Sequence, residues 1–511
     1  MGSAPAPGAV RCASRRTREA SEIVESSSIS RAKVSREGAA HCARGGRAPF
    51  FNGVIANLIV FTLILFAGCG HRARTALDQS IYFTCDTHGR IEPCGCFSGQ
   101  YGGLTRLKTV LDAEAPPGAL RLDIGNSAAG AEDYDFIEYR YMLQAFAALR
   151  YDAINIGARE AQFTATQLRD LKKISATPFL CANLIDKSTG AQLFDSYRIV
   201  ERSGQHIALI GVVDPRAATT PGTGLSIGNM ENAIEKTLTE IRGKADLVIL
   251  LAFTDEATLA ELARRFYECQ VILGGNVSQP AQQLQKENRS LIYFVTNEAR
   301  ALGILHLRLT PGAPLQVAGN EIRLLTDKIP QDDSLRGLMQ KYRDEIRTTP
   351  LAIDDPNYLA ADTIPGVRAA ATYVGTEKCL TCHKDAAAVW AASAHARAFA
   401  TLIARKADAD PKCISCHTIG FGNPTGYRRE FADTKLINVG CESCHGPGSL
   451  HVREREGDTS AHFTFRPLDG GDCVKCHYGE FSRPFDWNEQ WPLIKHGNEP
   501  QRTAAVSHPT P

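Results

Sequence analysis

The sequence predicts a layered α/β domain followed by a smaller, mainly helical one. Three observations predict it. Between residues 80 and 325, short β-branched apolar runs alternate with amphipathic helical stretches, the pattern of strands and helices in layers. Between 373 and 496 such runs are scarce, and Cys-x-x-Cys-His recurs four times. Between these regions lies a charged helical stretch, 333–347, and then an extended Pro-bearing connector. A chain of 511 residues is long enough for two or three domains. A formal net charge of +1 gives no ground for nucleic-acid binding.

The first 48 residues are rich in Arg, Ser, Ala and Gly without apolar periodicity. They read as disordered, or as a start placed too far upstream. Residues 49–69 read as an export signal. Arg44 and Arg47 precede the apolar run Phe50–Phe66, and small residues follow it. The ending Phe66-Ala67-Gly68-Cys69 resembles the lipobox of bacterial lipoproteins, with Phe where Leu is usual. That resemblance implies Cys69 as the lipidated first residue of the mature chain. The alternative is an uncleaved N-terminal anchor helix, although the run is short for a membrane span. Either reading anchors the rest of the chain at a membrane on the periplasmic side of a bacterial envelope.

The α/β domain is assigned to 78–325. Its expected strands are 81–85, 120–124, 153–156, 206–213, 246–252, 271–275, 291–296 and 304–309, with helices at 136–149 and 231–242. Tyr82 to Pro93 (YFTCDTHGRIEP) followed by Gly102-Gly103-Leu104-Thr105-Arg106-Leu107 resembles the opening motif of the 5'-nucleotidase branch of calcineurin-like metallophosphoesterases. The later landmarks Asp123-Ile124-Gly125-Asn126, Gly157-Ala158-Arg159-Glu160 and Gly274-Gly275-Asn276 keep that family's order. The resemblance implies a layered sandwich and two metal ions that clamp a phosphate. Asp86 and His88 match the first-motif ligands. The bridging Asp falls at Asn126, the Asn-His pair at Ala158 and Arg159, and a further His near Phe253. Two surviving ligands do not hold two hard divalent ions, so the scaffold is expected to be non-hydrolytic. One loop departs from the pattern. Cys85, Cys94 and Cys96 crowd Asp86 and His88, resembling the Pro-Cys-Gly-Cys loop of a nucleotidase-like subgroup. Cys94 and Cys96 admit a soft-metal site, thiol redox chemistry, or a plain disulfide.

Residues 326–370 are expected to form a helical linker. The region 371–500 carries the Cys-x-x-Cys-His patterns, and 501–511 is a polar tail. The four patterns are Cys379-Cys382-His383, Cys413-Cys416-His417, Cys441-Cys444-His445 and Cys473-Cys476-His477. Two thiols at this spacing add across the two vinyl groups of a haem, and the adjoining His becomes the proximal iron ligand. Structural zinc is the competing use of Cys-x-x-Cys, but it does not require a His after every pair. Four covalently bound haem c groups are therefore expected. With few long apolar runs, the domain needs them as its core.

Candidate second iron ligands outside the motifs are His395, His451, His496 and His462. The contexts of His395, His451 and His496 resemble tetrahaem cytochromes that accept electrons from hydroxylamine oxidoreductase. In that family most haems are bis-histidine and one can lack a strong sixth ligand. The reading is an exported, membrane-anchored electron carrier that works with redox partner proteins. Two alternatives remain: a multihaem oxidoreductase acting on a small nitrogen or sulfur oxyanion, and an active phosphoesterase fused to a cytochrome. An additional metal in the middle domain would sit in the loop of Asp86, His88, Cys94 and Cys96.

Overall fold

The computed structural model describes residues 76–93, 99–296, 298–355, 371–430, 434–463, 465, 467–478 and 485–497. The export segment with Cys69, the loop cysteines Cys94 and Cys96, part of the connector and the tail lie outside the described residues. Among those described, no helix is long and apolar enough to cross a membrane.

Two six-stranded sheets organise the first domain. The first contains β1 (Leu77–Thr84), β2 (Leu120–Asp123), β3 (Ala153–Asn155), β4 (Phe179–Leu180), and the later β13 (Ala301–Leu309) and β14 (Gln316–Leu324). Their order is β14-β13-β1-β2-β3-β4. β1 runs parallel to β2 and antiparallel to β13, from Leu77 opposite Leu309 to Phe83 opposite Gly303. The second sheet contains β6 (Tyr197–Arg202), β7 (Gln205–Val213), β9 (Leu247–Phe253), β10 (Val271–Gly275), β11 (Gln285–Glu287) and β12 (Ser290–Phe294), in the order β11-β12-β10-β9-β7-β6. β5 (Leu184–Asp186) and β8 (Leu225–Ile227) form a separate pair.

β9 is apolar along its whole length and every residue is buried, as a parallel strand covered on both faces must be. The sheets share one core. The Phe83 ring meets Tyr293 edge-on at 5.7 Å. Asn155 ties the layers by donating from Nδ2 to the Ile124 and Val212 carbonyls, each at 2.9 Å.

The helices of this domain are α1 (Leu104–Glu114), α2 (Asp133–Ala148), α3 (Ala165–Ile174), α4 (Met230–Ile241), α5 (Glu256–Arg265) and α6 (Asp333–Thr348). α6 is the helix expected in the linker, yet it is a core element. Asp332 caps it by accepting from Leu335 N at 3.1 Å. Leu335, Met339, Tyr342 and Ile346 form its buried stripe at helical spacing. Tyr342 packs on Tyr141 of α2 at 5.9 Å, and Tyr141 Oη donates to Glu345 at 2.7 Å. Pro350 discourages a further turn.

The second domain is built of short helices: α7 (Thr376–Leu380), α8 (Lys384–Ala392), α9 (Ala398–Ile403), α10 (Pro411–His417), α11 (Cys441–His445), α12 (Ser449–Arg455), α13 (Gly470–Cys473) and α14 (Trp487–Gln490). Its apolar core is small, gathered from Phe399, Leu402, Ala407, Ile414, Ile419, Tyr427 and Leu436. A region of this length needs more buried apolar surface than that.

Polar contacts fix the second domain against the first. Arg429, 7% exposed at its side chain, pairs with Asp354 at 2.5 Å and donates to the carbonyls of Ile346, Thr349 and Ala409. It thereby satisfies carbonyls at the end of α6. Arg347 pairs with Asp408 at 2.6 Å. Lys412 reaches α2, where it meets Asp135 at 3.0 Å and also bonds Glu138.

Candidate haem centres and a modified metal site

A single helical turn places residues i, i+3 and i+4 on one face. α11 is the whole Cys441–His445 motif in that form, and α10 ends on Cys413–His417. α10 begins with Pro411 in its first turn and Asp410 as its cap, accepting from Lys412 N at 3.0 Å. α7 and α13 carry Cys379 and Cys473 into the other two motifs. In each motif, therefore, both thiols and the imidazole face the same side.

The candidate second ligands meet these motifs in pairs. His383 lies 6.1 Å from His451 between ring centroids, with 29° between planes. His477 and His395 are 6.0 Å apart at 54°. His445 and His496 are 5.9 Å apart at 65°. Two imidazoles on opposite sides of one metal, each with its nitrogen about 2 Å away, have centroids about 6 Å apart. The three separations fit one iron between each pair. Burial pushes the imidazoles of His395, His445, His451 and His477 below their usual range, towards the neutral form that ligates metals.

The pairing is not sequential, because His395 follows the first motif yet faces the fourth. The three pairs leave His417 of the second motif, whose Nδ1 lies 2.7 Å from the Ala398 carbonyl. His462 is 79% exposed at its side chain and bonded to Glu454 at 2.9 Å.

The attachment thiols also meet between motifs. Cys379 lies close to Cys441, and Cys476 close to Cys416. Cys444 lies within electrostatic reach of Cys473. These neighbours link the first motif to the third, the third to the fourth and the fourth to the second.

The other candidate site lies where β1, β2 and β10 end. Asp86, His88, Asn126 and Asn276 all adopt positive φ, at 53°, 47°, 63° and 60°, conformations that non-glycine residues hold at a cost and that concentrate at functional sites. The Asn126 amide occupies the centre. Its Nδ2 donates to Asp86 Oδ1 at 2.8 Å and lies 3.0 Å from His88 Nε2, while its Oδ1 accepts from Arg159 N at 2.9 Å. Thr296 donates to the second Asp86 oxygen at 2.6 Å.

Buried Glu160 clamps the surrounding loops by accepting from the backbone N–H of Asn126, Gly157 and Ala128. The roles of Thr296 and Glu160 escaped sequence reasoning. Each acts across long sequence separations on backbone or on Asp86, and the motif order alone does not reveal that. Cys85 is buried and donates to the Gly125 carbonyl at 3.3 Å. Burial pushes its thiol well up, so it is a structural, unreactive thiol.

The family's metal pair does not fit these residues. A divalent cation needs acceptors converging on it, and here an amide N–H2 points at Asp86 and towards His88. Among the described residues, no group of three or more His, Cys, Asp or Glu side chains is arranged to hold a metal ion.

Comparison with known proteins accords with both halves. Residues 378–446 match the family model described as cytochrome c554 and c-prime. Cytochrome c-554 of Nitrosomonas europaea is 41% identical over 93 residues, 15% of this chain and 40% of that protein. The 5'-nucleotidase of Vibrio cholerae is 28% identical over 187 residues, 34% of this chain and 33% of that one. Protein UshA of Escherichia coli is 29% identical over 203 residues, 38% and 35%. Among solved structures, a 5'-nucleotidase precursor from Thermus thermophilus aligns with a TM-score of 0.47 at 23% identity, covering 53% of this chain and 59% of that one. The chain thus spans less than half of each of these curated relatives.

The class these findings define is a c-type cytochrome joined to an α/β domain. More particularly, a cytochrome c554 domain at the C-terminal end follows a 5'-nucleotidase-like metallophosphoesterase fold. Covalently bound haem c is the cofactor that such a domain implies.

Proposed function

We propose that this protein is an exported, lipid-anchored tetrahaem electron carrier whose nucleotidase-like domain hydrolyses nothing. The observation that carries this reading is the set of three histidine pairs, each spaced for one iron. When bound, haem c supplies a reversible one-electron centre. The chain's own residues do the rest. The eight motif cysteines attach the four groups, and His383, His417, His445 and His477 each supply a proximal imidazole. His451, His496 and His395 would supply the second imidazoles to the first, third and fourth groups. The nearness of cysteines from different motifs supports closely spaced centres. Redox proteins on the periplasmic side are the partners this arrangement suits, with Cys69 as the lipid attachment point.

The amide of Asn126 between Asp86 and His88 supports a scaffold role for the first domain. A second reading, an oxidoreductase for a small nitrogen or sulfur oxyanion, is favoured by one observation. His417 stands outside the three histidine pairs.

Stopped-flow mixing with a reduced protein donor tests the proposal. Rapid reduction without turnover of nitrite, hydroxylamine or a sulfur oxyanion is the expected result. Sustained turnover of any of these would replace the carrier reading with the second. Release of phosphate from a nucleotide, lost in Asp86→Ala, would overturn the scaffold role.

A further inference from the structure

Glu442 lies inside the third motif, between Cys441 and Cys444, and is 3% exposed. A carboxylate is rarely buried without compensation, and here its partners come from two other segments. It accepts from Val374 N at 3.0 and 3.1 Å and from Gly375 N at 2.8 Å. It also accepts from Gly448 N at 2.7 Å.

Gly375 and Gly448 are the N-cap residues of α7 and α12, and neither has a side chain to cap its own helix. One carboxylate therefore ties together the backbone that enters two helices. α7 carries Cys379, with His383 just beyond it. α12 carries His451. These are the attachment side and the opposite face of the first centre. A second tie reinforces the arrangement: Ser449 N donates to the Thr372 carbonyl at 3.2 Å, and Thr372 N to Ser449 Oγ at 2.7 Å.

We infer that Glu442 is a positioning residue for the first haem centre, holding the His383 and His451 segments at the separation that one iron spans. The inference rests on the tetrahaem reading and deepens it. A residue of the third motif sets the ligation of the first, so assembly of these two neighbouring centres is coupled through one carboxylate. Alanine leaves three N–H groups, two of them buried, without an acceptor. Glutamine keeps one acceptor oxygen but turns its N–H2 towards other donors. In either case α12 loosens and His451 leaves its place opposite His383.

The test is quantitative EPR of ferric holoprotein, with haem counted chemically, for wild type, Glu442→Ala, Glu442→Gln and Glu454→Gln. Glu454 lies on α12 with His451, but its carboxylate bonds His462 at the surface and not the Glu442 segments, so its variant is the control. In Glu442→Ala, high-spin haem is expected to rise about twofold, from about one to about two per chain. The low-spin signal lost should be that of the near-parallel pair, since His383 and His451 differ by 29° while the other pairs differ by 54° and 65°. Glu442→Gln should fall between wild type and alanine, and Glu454→Gln should match wild type. The glutamine variant keeps the side-chain volume and carries the test if the alanine variant does not assemble. Unchanged spin states in a fully loaded glutamine variant would overturn the role of Glu442. Fewer than about four haems in the wild type itself would instead defeat the tetrahaem reading.

Discussion

At the residue scale, Asn126 is one of several positions at which the first domain departs from the metal ligands of the family it resembles. Where a bridging carboxylate would accept a cation, Asn126 presents an N–H2 group to Asp86 and His88. Asn126→Asp should bring two carboxylates together and destabilise the protein by about 1–3 kcal/mol in chelator. Added Mn²⁺ should recover part of that loss, since a cation now has converging acceptors. Thermal unfolding with and without Mn²⁺ checks this, and a Tm that is the same in both conditions would count against the geometry described.

Asp123 gives a pH prediction. Burial pushes its carboxyl up to about 8, more than its bonds from Thr84, Ser127 and Gly125 lower it. The unfolded chain ionises this group near pH 4, about where an ordinary Asp titrates. Between there and about 8 the folded state holds the extra proton. Its contribution to stability is therefore complete in acid and declines as pH rises through that window. Denaturant titrations at pH 5 and pH 8 should show the decline in wild type and a flatter profile in Asp123→Asn.

At the element scale, the legible parts are those whose signal is local. The parallel strands β7, β9 and β10 read directly as apolar runs, and each Cys-x-x-Cys-His is a single helical turn. β14 has no such signal, because most of its residues are exposed and its pattern does not alternate cleanly. The two-residue β4 is too short to produce one. α6 was visible as a helix but not as a core element, since its partner on α2 lies some two hundred residues earlier. Its place in the core has a measurable consequence. Ile346→Ala should cost about 2–5 kcal/mol, seen by calorimetry in the transition of the first domain. A change within about 0.5 kcal/mol would mean that α6 is only a connector.

At the scale of the whole molecule, sequence disclosed the α/β fold followed by a helical cytochrome region, but not how the histidines pair. His395 is close in sequence to the first motif and close in space to the fourth. Only the folded path of the chain decides that, so spacing along the sequence was silent. The contact between domains was equally hidden. Arg429 gathers Asp354 and three carbonyls from both sides of the boundary, and Lys412 enters the acidic face of α2 immediately before the attachment residue Cys413. Arg429→Ala removes one partner of a buried pair and should cost about 3–5 kcal/mol. Limited proteolysis should then cut between the domains at a concentration that leaves wild type intact.

The electron-carrier reading requires four haems in the second domain, three of them between paired histidines. The most direct test is one sample of mature protein, made with the haem-attachment machinery and examined for total metals, haem content and integrated ferric spin states. The predicted result is about four irons per chain, all present as haem, about three low-spin and about one high-spin, with no other metal. Fewer haems, or low-spin haem that survives when His395, His451 and His496 are all replaced together, would contradict it.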